Sequence, residues 1–319
     1  MKKTIITALL ITAIMLISGC GQQKETTDAT KTFIGGTEGL AMSLEPGFPP
    51  TEVFDNGNSP FDVDVKLKNN GEYTVKAASV EARIVGPYPQ DFGKTDADFK
   101  KTGTEDILAK TKSTEGQVMD GGESHIIFTS LSYKNALKGN ELNPYRTDVC
   151  YTYGTEAVTQ ICVLKDLLRT TESNICKVNE DKVVKNSGAP VQITKITESR
   201  YGTQDIGITL DIANLGTGEV YQKAKKCDAA QLRDKNKVWV KIDTGLTDQP
   251  TCSGLKDDAG NVVNGNEGYV TLNPDTKTTR LTCVQKATSQ QDFAKTINFN
   301  LEYDYYQTLG WQLLIKHLG

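Results

Sequence analysis

The chain has 319 residues, with 36 Lys and Arg against 40 Asp and Glu, a formal charge of −4 and 37 % hydrophobic residues. That length suits about two domains of ~150 residues, and acidity spread along the chain provides no basic patch for nucleic acid and no polybasic segment for anionic lipid. Only two histidines occur, so candidates for a general base near neutral pH are few.

The chain begins Met1-Lys2-Lys3, continues with an apolar and hydroxylated run from Thr4 to Ile17, and then reads Ser18-Gly19-Cys20. A basic start, a short hydrophobic region and a small-residue end mark a secretory signal peptide. The run is shorter than the ~20 apolar residues of a membrane span. Ile17-Ser18-Gly19-Cys20 resembles the lipobox of prokaryotic lipoproteins. The resemblance implies cleavage between Gly19 and Cys20, a lipid group on Cys20, and an extracytoplasmic chain attached to membrane lipid through that residue. Residues 1–19 are therefore read as the signal peptide and 20–32 as a lipidated cysteine followed by a flexible tether. The tether is polar throughout and cannot bury enough apolar surface to offset its ordering entropy.

From Phe33 the pattern changes to short alternating stretches broken by Gly, Pro, Asn and Asp, the signature of an all-β sandwich. Phe61-Asp62-Val63-Asp64-Val65-Lys66-Leu67 puts four apolar residues on one face and ends at Asn69-Asn70-Gly71, a turn signal. Strands are also expected at 79–85 and 125–131. The first half closes on Val149-Cys150-Tyr151-Thr152-Tyr153, an expected turn near Thr155 and Glu156, and an apolar strand at 158–163. Residues 163–169 have apolar spacing that predicts a turn or two of helix, and 98–112 reads as a short helix or an insertion.

The second half repeats these signals in the same order. Ile206-Gly207-Ile208-Thr209-Leu210-Asp211-Ile212 has the same period of two and ends at Asn214-Leu215-Gly216. Leu301-Glu302-Tyr303-Asp304-Tyr305 leads through an expected turn into Trp311-Gln312-Leu313-Leu314-Ile315. Two matches in the same order predict a duplicated domain. The expected fold is all-β, with two tandem immunoglobulin-like β-sandwiches after the signal peptide and tether. The first spans 33–168 and the second 189–319, with a linker at 169–188. Further strands are expected at 191–196, 238–242, 269–272, 280–284 and 297–301.

The stretches 61–75 and 206–221 resemble the central strands of CARDB-type and related immunoglobulin-like modules of prokaryotic surface proteins, and the whole arrangement is similar to envelope lipoproteins with tandem modules of this kind. The resemblance implies a non-enzymatic spacer, adhesion or protein-binding role, with an envelope protein or glycan as partner. It carries no catalytic residues.

Six cysteines remain beyond Cys20: Cys150, Cys162, Cys176, Cys227, Cys252 and Cys283. An even number in an exported chain predicts disulfides, in any of 15 pairings. Cys150 with Cys162 is the pairing that the expected hairpin favours. No C-x-x-C occurs and the histidines lie far from any cysteine in sequence, so no metal site and no cofactor is expected. His125 reads as a strand residue and His317 as a terminal one. No nucleophile motif accompanies either, and no catalytic residue is assigned. Gly35-Gly36-Thr37-Glu38-Gly39 lacks phosphate-binding spacing and reads as a turn or bulge. Residues 257–267 are rich in oxygen ligands but depart from the calcium-loop spacing, so they read as a hairpin loop. Asp62 and Asp64 share the solvated face of their strand. Tyrosine pairs at 151, 153, 303 and 305 read as core or strand pairing, and the turn at 45–50 as a rigid surface loop. The alternative reading is a solute- or glycan-binding lipoprotein, or an extracytoplasmic hydrolase, which requires a ligand-sized pocket.

Overall fold

Alternation of apolar and charged residues along 61–69 buries every second side chain, and this period of two recurs through the chain. The computed structural model describes residues 33–169 and 173–318. The expected signal peptide (1–19), the expected cleavage and lipidation site at Gly19-Cys20 and the whole expected tether (20–32) lie outside the described residues. In chain order the first strands are β1 (Leu40–Leu44), β2 (Glu52–Phe54), β3 (Phe61–Asn69), β4 (Glu81–Val85), β5 (Lys100–Thr102), β6 (Thr111–Lys112), β7 (Val118–Met119), β8 (Glu123–Leu131) and β9 (Glu141–Val163). There follow β10 (Glu180–Lys182), β11 (Lys185–Asn186), β12 (Val191–Tyr201), β13 (Asp205–Asn214), β14 (Glu219–Tyr221) and β15 (Lys237–Asp243). The last are β16 (Thr251–Lys256), β17 (Val262–Gly265), β18 (Glu267–Thr271), β19 (Thr278–Lys286) and β20 (Phe293–Lys316). The fold is all-β.

One sheet has the order β1-β3-β8; a larger one runs β10-β12-β13-β19-β16-β18-β15-β20-β9-β4-β5. The apolar faces of β3, β8, β12, β13 and β19 meet those of β4, β15, β9 and β20 in a continuous core, so the layers form a sandwich.

The two expected hairpins at 149–163 and 301–315 are not hairpins. Each is one strand, of 23 and 24 residues, and the two pair antiparallel from Val163↔Phe293 to Glu141↔Ile315. The residues expected to turn find ladder partners instead: Thr155 faces Leu301 and Gly310 faces Arg146. A backbone donor is satisfied as well by a distant strand as by a local turn, and the distant strand is extended. Other expectations are corrected too. Residues 164–169 contain no helix, because Leu164 and Leu167 bury as part of the sandwich core. Residues 98–112 hold β5, an isolated bridge from Val75 to Ile107 and β6 rather than a helix. Beyond Asn69-Asn70-Gly71 the chain does not return along β3, whose neighbours are β1 and β8.

The matches seen in sequence are parts of one repeated device. Tyr153 donates its hydroxyl to Asn69 Oδ1 at 3.0 Å, and Tyr305 donates to Asn214 Oδ1 at 3.4 Å. Each asparagine turns its Nδ2 to a carbonyl four residues on, Tyr73 or Gly218, and its Oδ1 accepts from the N–H of Gly71 or Gly216. Two residues earlier on each strand, Leu40 N–H donates to the Tyr151 hydroxyl and Val191 N–H to that of Tyr303, both at 3.2 Å. A side chain on either glycine would collide with the tyrosine hydroxyl above it. Tyr151 faces Tyr305, Thr152 faces Asp304 and Tyr153 faces Tyr303. The β9–β20 ladder therefore has a local two-fold centred on Thr152 and Asp304, which relates one repeat to the other.

Candidate functional site

The face of β9 and β20 opposite the tyrosines is covered by the loop at 222–234, and the covering is held by chemistry at the local two-fold. Asp304 is 2 % exposed. Its Oδ1 accepts from Thr152 Oγ1 at 2.7 Å and Ala224 N–H at 3.1 Å, and its Oδ2 accepts from Lys225 and Lys226 N–H at 2.8 Å each. Four donors on one carboxylate offset its desolvation. The loop reaches it with Ala224, Lys226 and Cys227 in the left-handed region, at φ 62°, 55° and 50°. Non-glycine residues hold that conformation at a cost of about 1 kcal/mol or more each, and only where their surroundings impose it. Here the surroundings are Asp304 and a disulfide from Cys227 to Cys150 of β9.

Between this loop and the β4–β9–β20 face lies a cleft of about 600 Å³. Its floor is Glu81, Arg83, Asp148 and Tyr306, and its wall is Lys225 to Ala230. Lys100 Nζ lies 2.8 Å from Glu81 Oε1. Arg83 and Lys225 are exposed and have no carboxylate partner among the described residues. Burial and a hydrogen bond with the Asp148 carboxylate raise the Tyr306 hydroxyl far above its ordinary value, so it stays protonated. The two sulfurs in the cleft are bonded to each other. What the cleft offers a ligand is therefore fixed charge, hydrogen bonds and one aromatic ring.

The cysteines pair as Cys150–Cys227, Cys162–Cys176 and Cys252–Cys283. The expected Cys150–Cys162 pair is excluded: both lie on β9, about 40 Å apart at the rise of an extended strand. All six described cysteines are oxidised, as befits a chain that folds in an oxidising, extracytoplasmic compartment.

The other residues singled out in sequence do not converge on the cleft. His125 Nδ1 lies 2.9 Å from Asp64 Oδ1 on the outer face of β3 and β8, where Asp62 accepts from Ser130 N–H. His317 Nδ1 lies 2.9 Å from buried Asp55, whose carboxylate also accepts from Leu137 and Leu318 N–H. That hydrogen bonding, led by His317, lowers the Asp55 carboxyl to about 2. The Gly35-Gly36 turn is fastened to the Glu72 carboxylate, which accepts from Ile34, Gly35 and Gly188 N–H. In the loop after β16, Asp257 accepts from Asn261 in a closed turn. The loop at 222–234 carried one signal in sequence that went unread. Asp304 sits between tyrosines on a strand that alternates, so its carboxylate had to lie on the other face and needed a cover.

The fold defines an all-β sandwich built on an internal repeat. No protein-family model and no curated protein matches the chain. Among solved structures it is similar at 9 % identity to the partial N-terminal region of an enterococcal surface protein, over 89 % of this chain and 95 % of that one, with a TM-score of 0.16. It is similar at 10 % identity to a serine-rich repeat protein from Streptococcus agalactiae, over 88 % and 92 % of the two chains, with a TM-score of 0.11. A study of carbohydrate-binding modules from the β-sandwich superfamily supplies another, at 11 % identity over 88 % and 97 %, with a TM-score of 0.10.

Proposed function

We propose that this chain is a non-enzymatic extracytoplasmic binding module, held to membrane lipid through Cys20 and presenting the cleft under the 222–234 loop to an envelope protein or glycan. The observation that carries the reading is the construction of that cleft. A strained loop is pinned by a buried carboxylate and a disulfide, which pre-organises the wall and lowers the ordering cost of binding. The groups it presents are two cations without a carboxylate partner, Arg83 and Lys225, against one carboxylate without a cation partner, Asp228, beside the ring of Tyr306, so an excess of positive charge remains, and its sulfurs and hydroxyl are held in unreactive forms. These favour an acidic glycan or peptide over a neutral one. The lipobox resemblance supports attachment at Cys20, and the three disulfides support folding outside the cytoplasm.

Two measurements test this. Metabolic labelling with a lipid analogue should tag the protein and Cys20→Ala should abolish the tag; an untagged native protein sinks the anchor. Binding of isolated envelope polysaccharide should weaken by roughly tenfold in Arg83→Glu with Lys225→Glu, the scale of losing two close charge contacts. Unchanged binding rejects the cleft, and release of cleaved sugar rejects the non-enzymatic reading.

A further inference from the structure

The two repeats differ at one sheet edge. In the second, β19 pairs with β13 on one side and with β16 on the other, over Thr251, Cys252 and Ser253. The Cys252–Cys283 disulfide fastens that outer seam. In the first repeat β8 stands where β19 stands: Val65↔Ile126 and Val63↔Phe128 correspond to Leu210↔Leu281 and Ile208↔Cys283. Yet β8 pairs with β3 alone and ends its sheet. β5 packs near β8 without hydrogen-bonding to it, and no strand among the described residues pairs with β8 as β16 pairs with β19.

The direction of the unpaired groups follows from two hydrogen bonds. Glu45 N–H donates to the Asp64 carbonyl on the β1 side of β3, at 3.0 Å, and Asn69 N–H donates to the Gly122 carbonyl on the β8 side, at 2.9 Å. Backbone groups of even-numbered residues of β3 thus point to β1 and those of odd-numbered residues to β8. Across the antiparallel ladder, Ser124, Ile126 and Phe128 turn theirs toward β3, while His125 and Ile127 turn theirs outward. The corresponding outward residue pair in the second repeat is Arg280 and Thr282, and Thr282 faces Ser253 of β16. Edges of this kind are ordinarily blunted by Lys, Pro or inward charge. From Ser124 to Thr129 there is no Lys, Pro or acidic residue, and the Ile127 side chain is 45 % exposed.

We infer that the outer edge of β8, centred on Ile127, accepts an extended, uncharged strand from a partner protein, antiparallel to β8, as β19 accepts β16 within this chain. The chemistry of the occupant follows from the filled copy of the site. Thr251-Cys252-Ser253 carries no charge and small side chains, which leave the main-chain ladder to supply affinity. An apolar or β-branched side chain of the added strand would cover Ile127. This contact is independent of the cleft.

The test uses the intact protein and a terminally blocked synthetic peptide with the sequence of residues 249–255, serine replacing Cys252. Saturating peptide should slow amide exchange at His125 and Ile127 by about tenfold or more, with the amides of β3 unchanged. Ile127→Pro removes an outward donor and leaves the ladder to β3 in place, so it should abolish binding; Ile127→Thr, which copies Thr282, should retain it. Ile127→Lys, which keeps the N–H and adds an edge charge, should weaken binding at least about tenfold and covers the case in which the proline variant misfolds. Absent protection, or binding by the proline and lysine variants as tight as that of the native protein, overturns the inference. Protection that appears without peptide and rises with protein concentration assigns the edge to a second copy and likewise overturns it.

Discussion

Gly71 and Gly216 occupy equivalent places in the two repeats, yet replacing them with alanine should not cost the same. The added methyl of Gly71→Ala would overlap the Tyr153 hydroxyl and the carbonyls of Gly188 and Glu38. Two of those three are backbone and cannot swing aside. Overpacking of this kind costs about 1–3 kcal/mol, and displacing the Tyr153 hydroxyl forfeits its bond to Asn69, a further ~1 kcal/mol. Gly71→Ala should therefore lose about 3 kcal/mol, or roughly 6–9 °C in Tm for a chain of this size. The methyl of Gly216→Ala would meet the Tyr305 hydroxyl and, at 2.8 Å, the Pro190 side chain. The nearest atoms there are all side chain, so the loss should be about half as large. A second substitution separates the causes. Tyr305→Phe removes the hydroxyl in the way and should restore most of the stability of Gly216→Ala, whereas Tyr153→Phe should restore little to Gly71→Ala because the carbonyls remain. Urea denaturation of the four single and two double variants measures the couplings. Equal losses at the two glycines, or equal rescue by the two phenylalanines, would refute the reasoning.

Removing Cys150 and Cys227 together should cost more than removing Cys162 and Cys176, because the loops closed span 77 and 14 residues; loop-closure entropy puts the two at about 4.5 and 3 kcal/mol, and paired urea titrations of the alanine double variants give the order. Asp304→Asn turns an amide N–H₂ toward backbone donors, so it should destabilise by about 3 kcal/mol and speed amide exchange at Lys225 and Lys226. Alkali should unfold the protein cooperatively. Burial raises the tyrosine hydroxyls from an ordinary 10.0, Tyr305 to about 12 and Tyr151 and Tyr303 well above the usual range. Groups raised in this way contribute stability that is fully present below pH 10 and is lost as pH climbs toward the folded value, at up to about 1.4 kcal/mol per pH unit for each group. Tyrosinate absorbance that rises together with loss of near-ultraviolet dichroism is the expected result; ionisation of the buried tyrosines in a folded chain would contradict it.

Much of the strand content was legible because it is local. Phe61 to Asn69 and Asp205 to Asn214 alternate with the pleat, and the strands formed where the alternation placed them. The repeat was legible as well: the Asn-x-Gly turns and the Tyr-x-Tyr strands, matched separately in sequence, are the two ends of the same hydrogen bonds. The hairpins at 149–163 and 301–315 failed for a physical reason. Gly154, beside the expected turn at Thr155 and Glu156, and Gly310, before Trp311, have turn propensity, but each found a partner in the other repeat, and ladder pairing across 23 positions outweighed local preference. The Cys150–Cys162 pairing fell with the hairpin that motivated it. The 222–234 loop left almost no trace, since Ala224, Lys226 and Cys227 have no local reason to adopt positive φ.

The sequence by itself determined that the chain is β-rich, that its Asn-x-Gly and Tyr-x-Tyr signals recur in the same order, and that it carries six cysteines able to pair. These are properties of composition and of a period of two, and neighbours along the chain suffice to express them. Only the tertiary structure decided which strands pair, which cysteines meet, where the loop at 222–234 is pinned and which edge is left open. A backbone N–H or C=O accepts any extended partner, so the choice among partners is made by the packing of Tyr151, Tyr153, Tyr303 and Tyr305 at the centre of the fold, and that packing exists only once both repeats are in place.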